Sequence, residues 1–196
     1  ITDLARLKTY ADLHRLPPPE GYAADPKVFL KPDSPENRQV WAQSLTSMRT
    51  QMEAACHARI QLGGKFTGYS GKYPGIVEEA LLALQNDTPT YLVGAFGGAT
   101  GAVIRALKGE TVQELTEEFQ FENADYAAMA AHYNADAATA DTPIDYTGLQ
   151  AFFKAQGVEG LKNGLSPEEN EILFTSIQLP EIIVLVLKGL RNLGIC

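Results

Sequence analysis

Cysteine, histidine and tryptophan are scarce in this chain: two, three and one among 196 residues. Cys56 sits in a helical pattern and Cys196 is the last residue, so no disulfide framework and no thiolate metal site can be built. Two reduced thiols in a cytoplasmic protein are expected, with no metal and no cofactor. His14, His57 and His132 stand near no serine or cysteine that would complete a nucleophilic triad. Long apolar runs are missing too. The longest, Ile182 to Leu187, is far shorter than the ~20 residues that cross a bilayer, so no membrane partner is expected. Positive charge is in deficit, 16 basic against 24 acidic residues, for a net charge of -8. That sign excludes nucleic-acid backbone as the main partner. It leaves room for a small phosphate ligand, because helix N-termini hold phosphate without side-chain charge.

What is present is an alternation of helices and strands. Residues 1–16 read as a helix or mixed segment. Pro17, Pro18, Pro19, Pro26 and Pro32 then make 17–33 an extended connector. Ser34-Pro35 is a helix start, and Val40, Trp41, Leu45, Met48, Met52 and Ala55 recur at helical spacing over 35–55. A strand over 58–62 ends at Gly63-Gly64. A helix opens at Pro74, and a second strand within 88–95 carries Tyr91, Leu92 and Val93, the apolar run of a buried parallel strand. A third helix runs on to Gly109. Beyond it, helices are expected over 110–119, 123–134, 146–156, 166–176 and 180–193, with a surface loop between 135 and 145. Strands with a helix between them imply βαβ crossovers and a parallel sheet. The expected class is α/β: a Rossmann-like core over 1–109, then a helical extension over 110–196 packed on the same core. Two strands are few for such a sheet. The others are expected upstream of Ile1, as in an excised piece of a longer protein, or within 1–33.

Ligands of open parallel sheets bind beyond the carboxyl ends of the strands. Both strands here end in paired glycines, Gly63-Gly64 and Gly97-Gly98, each leading into a helix. Glycine lets backbone N–H groups approach a phosphate, and the helix dipole favours the anion. The loop between adds Lys65, Tyr69, Lys72, Tyr73 and Gly75: cations for phosphate, rings for a base. Phe96 precedes the second pair. Glu78 and Glu79 lie in the first turn of the helix from Pro74, and Arg49 lies late in the long helix; all three could face the same crevice.

These segments together, Ser44-Leu45-Thr46-Ser47-Met48-Arg49, then Ala58 to Lys65, then Tyr73-Pro74-Gly75-Ile76-Val77-Glu78-Glu79-Ala80, then Tyr91 to Ala99, resemble the SLOG superfamily. Its members are Rossmann-like nucleotide-binding domains related to the cytokinin-activating LOG enzymes and to the DprA/Smf proteins. The likeness covers about 40–108. In the LOG enzymes an arginine-bearing helix precedes a PGGxGTxxE turn. Arg49 matches the arginine, and Glu79, or else Glu78, the glutamate. Here the turn carries an insertion and lacks the GT pair. The variant is similar to SLOG sensor domains of bacterial conflict systems, often fused to TIR effectors that degrade NAD.

The resemblance implies a sensor. It would bind a phosphorylated nucleotide messenger, a cyclic nucleotide or an ADP-ribose derivative, and switch a homo-oligomer and an attached TIR effector in antiviral defence. The stripe Ile182, Ile183, Leu185, Val186, Leu190 suits core or interface. The alternative is a phosphoribohydrolase acting on nucleoside 5'-monophosphates through Arg49 and Glu79; a housekeeping nucleotide-binding role is a third. Arg49→Ala is expected to lose affinity rather than solubility, and Gly97→Val to abolish binding with modest loss of fold.

Overall fold

Helix starts follow local chemistry. In the computed structural model, which describes residues 9, 10, 12 and 29–195, the Ser34 hydroxyl accepts the Asn37 amide at 3.2 Å and Pro35 fills the first position of α1 (Pro35–Ala54). Asn123, Asp145 and Ser166 cap α5 (Ala124–Ala135), α6 (Tyr146–Gln156) and α7 (Pro167–Thr175) in the same way. The expected 110–119 helix is broken. A one-turn helix, Gln113–Leu115, is followed by the short α4 (Glu117–Gln120), because Thr116 turns extended and its hydroxyl accepts the Phe119 amide at 3.2 Å. The readings on residues 1–8, 11 and 13–28, and on Cys196, lie outside the described residues.

Two strands form among the described residues: β1 (Arg59–Leu62) and β2 (Thr90–Val93), joined by α2 (Gly75–Gln85). They pair in parallel, with Ile60 opposite Tyr91 and Leu62 opposite Val93. A parallel pair needs a crossover, and α2 supplies it. The structure is therefore mostly helical with a small parallel sheet, an α/β arrangement short of a full Rossmann sheet.

All of β2 is buried. On one face Leu92 packs with Val77, Ala80 and Leu84 of α2 and with Ala102, Val103 and Ala106 of α3 (Gly98–Leu107). The same cluster continues through Leu149 and Phe153 of α6. On the other face Tyr91 and Val93 meet Leu173 of α7 and Ile182, Leu185 and Val186 of α8 (Leu179–Asn192). The Tyr91 hydroxyl donates to the Asn163 carbonyl at 2.8 Å, and the Asn163 amide donates back to Thr90 O at 2.9 Å. Residues from both sides of position 109 thus share one core. The 135–145 segment contains a turn, Ala137–Thr139, and is anchored where Asn134 brackets the buried Ile144 backbone.

Candidate functional site

The two glycine turns meet. The Ala99 amide donates to Gly64 O at 3.0 Å and the Thr100 amide to Gly63 O at 2.8 Å. A Cβ on Gly98 would stand 2.2 Å from Gly64 O, so only glycine allows this contact. Gly63, Gly64, Gly97 and Gly98 all have positive φ. The carbonyls at the end of β1 therefore already cap part of the α3 N-terminus. Gly97 and Gly101, one helical turn apart, both face open space. No side chain caps α2, α3 or α8. In α1 and α4 to α7 a side chain does.

Behind the α2 N-terminus lies a chain of charges. Arg49 Nη1 meets Glu78 Oε2 at 2.5 Å, and the Thr46 hydroxyl donates to the other Glu78 oxygen. Arg49 Nε stands 3.5 Å from Glu79, Arg59 2.9 Å from the other Glu79 oxygen, and Arg59 2.5 Å from Glu53. Thr46 and Arg49 share one helix face, three residues apart. Burial pushes the Glu78 carboxyl above its usual range, against the opposing pull of Thr46 and Arg49. Burial also lowers the Lys72 ammonium. Gly71 and Gly75 make room for the guanidinium: a Cβ on either would lie 2.9 Å from it. Three carboxylates, Glu53, Glu78 and Glu79, thus share two guanidiniums, while the Lys72 ammonium donates to Thr142 O at 2.8 Å.

The loop tyrosines turn inward. Tyr73 is 3% exposed, packed edge-on to Tyr146, and its hydroxyl accepts the Asp145 amide at 2.9 Å. The Tyr69, Tyr126 and Tyr146 hydroxyls lie together, Tyr146 at 2.8 Å from each of the others. Tyr69 donates to Gln120 at 2.7 Å and Tyr126 to Lys72 O at 2.6 Å. Burial raises the Tyr69 hydroxyl to about 12 and pushes Tyr73, Tyr126 and Tyr146 up too. Beside Tyr69 a cleft of about 300 Å³ opens, walled by Phe119, Glu122 and Asn123.

The sequence-predicted residues therefore fall into groups. Arg49, Gly75, Glu78 and Glu79 come together, and so do Gly63, Gly64, Gly97 and Gly98. Lys65 turns back onto its own loop, donating to Gly68 O at 2.6 Å. Tyr69 and Tyr73 join the buried tyrosines. Phe96, 57% exposed, is the free ring beside the second glycine turn. Four participants were not anticipated: Thr46, Arg59, Glu53 and Gly71. Thr46 was signalled by its spacing from Arg49; the partners of Arg59 are set only by tertiary contact. The Thr100 hydroxyl and Gln61 Oε1, both buried at these strand and helix ends, have no hydrogen-bond partner. Among the described residues no cluster has the makings of a metal site.

Strands ending in touching glycine turns, with an ion-paired arginine behind them, make this an α/β domain. The chain belongs to the SLOG family: the family model SLOG cluster2 matches residues 1–173, and membership points to nucleotide-related function. No curated protein and no solved structure matches it.

Proposed function

We propose that this domain binds a phosphorylated nucleotide at the carboxyl ends of β1 and β2, and senses it rather than cleaves it. The observation that carries the reading is the α2 N-terminus, which no side chain caps, set beside the start of α3 at the strand-end glycines: a Cβ on Gly64 would meet both Ile76 and Ala99, while the Ala99 and Thr100 amides are already held by Gly64 O and Gly63 O. Phosphate would meet the open side of Gly97 and Gly101. Arg49, 8% exposed and lying against Gly75, would stand behind the α2 end. Phe96 offers a ring for the base.

Cleavage of an N-glycosidic bond needs a carboxylate free to act beside the anomeric carbon. Glu78 is held by Arg49 and Thr46, and Glu79 by Arg59 and Arg49. Ion-paired carboxylates suit a binding module. The messenger would be a cyclic nucleotide or an ADP-ribose derivative. Its binding would change the oligomeric state and, through it, an attached TIR-type effector that degrades NAD in antiviral defence.

Calorimetric titration with ADP-ribose and with a cyclic dinucleotide should show saturable binding by at least one. Gly101→Leu, whose side chain grows into open space, should lower that affinity at least about tenfold while leaving the fold intact. Incubation with AMP should release no adenine. Release of adenine, abolished by Glu79→Gln, would establish the hydrolase instead.

A further inference from the structure

α8 is apolar on two faces. Ile182, Leu185 and Val186 are buried against β2 and α7. Ile183, Val184 and Leu187 are 47%, 63% and 53% exposed, and Ile177 and Leu179 just before them are more so. A helix that is apolar all round is normally a buried one. β1 shows the same mismatch. Its register sets Ile60 beside Tyr91 and Leu62 beside Val93, on the sheet face that α8 covers. Both are half exposed, so among the described residues α7 and α8 roof β2 and leave β1 bare.

The charges on this face say what could cover it. The chain as a whole carries -8, yet residues 177–193 hold one acid, Glu181, against Lys188 and Arg191, and with Lys188 paired to Glu169 of α7 this strip is close to neutral. Two copies meeting here avoid the repulsion that other faces would impose. Glu181 and Arg191 are each five residues from Val186. Two α8 helices running antiparallel across a two-fold axis would set Glu181 of each against Arg191 of the other, with Val184 and Leu187 of both at the centre. A surface that is its own charge complement fits a second copy of itself. With Ile60 and Leu62 these side chains present on the order of 700 Å² per copy, against the ~800 Å² per partner of a standard interface and well above a monomer's scattered apolar surface.

We propose that the outer face of α8, with the bare face of β1, is the two-fold interface through which two copies of this chain associate. The proposal names a surface for the association that the sensing reading invokes, but it is tested on the ligand-free chain, so failure to bind nucleotide would leave it standing. Sedimentation velocity of the purified chain over a concentration series should show a reversible dimer. Leu187→Glu should weaken association more than about 100-fold with an unchanged melting temperature. Glu181→Arg and Arg191→Glu should each weaken it about tenfold, and the two together should restore most of the loss. Both positions are exposed, and because the Glu181 carboxylate also accepts the Ser176 hydroxyl, the melting temperature of each single variant is read beside its association; the charge exchange stays decisive if Leu187→Glu disturbs folding. A chain that stays monomeric at every concentration, or a dimer indifferent to the charge exchange, overturns the proposal.

Discussion

Arg49 is worth more to the fold than a binding arginine would be. Its guanidinium neutralises Glu78, a carboxylate only 2% exposed, and bridges towards Glu79. Removing one member of such a pair strands the other as an uncompensated buried charge. Arg49→Ala should therefore cost about 3–5 kcal/mol in urea denaturation, rather than affinity alone. Adding Glu78→Gln should recover much of that, because the residual group is then neutral; a double variant no more stable than the single one would show that the pair does not couple. The residue types at this centre were readable in the sequence, since an arginine and a glutamate pair at these positions is what the family resemblance implies. Which glutamate lies closer was not. Glu78 sits at 2.5 Å and Glu79 at 3.5 Å, and helical rotation at the α2 start decides between neighbours in sequence.

At the scale of elements, the glycines of the two turns do different things. Gly98 and Gly64 permit backbone to approach backbone, whereas Gly101 borders open space inside a helix. Gly98→Ala should cost at least about 2 kcal/mol, from the clash with Gly64 O and the positive φ together. Gly101→Ala should raise stability by roughly 0.5–1 kcal/mol, because it removes unfolded-state freedom at a helical φ. Thermal and urea unfolding of the two variants read the contrast, and equal effects would refute the assigned roles. Gly97→Val is a poorer probe of binding than the sequence suggests. Its site has space, but φ of +63 strains any L side chain there, so loss of fold would accompany loss of ligand. Element positions were legible because caps and apolar spacing are local: the cap at Ser34 and the apolar run of β2 both act within a few residues. The break at Thr116 was missed because a helical period and a capping hydroxyl compete there, and the hydroxyl won.

For the whole molecule, the buried tyrosines set a limit at high pH. A phenol whose folded pKa is raised binds its proton more tightly folded than unfolded. Its contribution is complete below the free phenol value of 10.0 and is lost as the pH rises through the folded value, about 12 for Tyr69. Tyr73, Tyr126 and Tyr146 shift in the same direction. Stability should be level up to about pH 10 and fall steadily above it, with phenolate absorbance from these four appearing only as the chain unfolds. Smooth titration of all eight tyrosines near pH 10 in a folded protein would contradict the buried cluster. None of this could be foreseen from 63–75 alone, where Tyr69 and Tyr73 look like loop residues. Their partners Gln120, Tyr126 and Tyr146 come from helices far along the chain. Two faces of α8 likewise carry one composition, and only packing against β2 separates the buried Leu185 from the exposed Leu187. Local chemistry, capping hydroxyls, proline, glycine and apolar period, was enough to give the order of elements, the parallel pair and the glycine-rich strand ends. Long-range packing alone chose which charges are buried together, which rings face inward and which apolar face is left uncovered, because those depend on contacts between residues that no local pattern links.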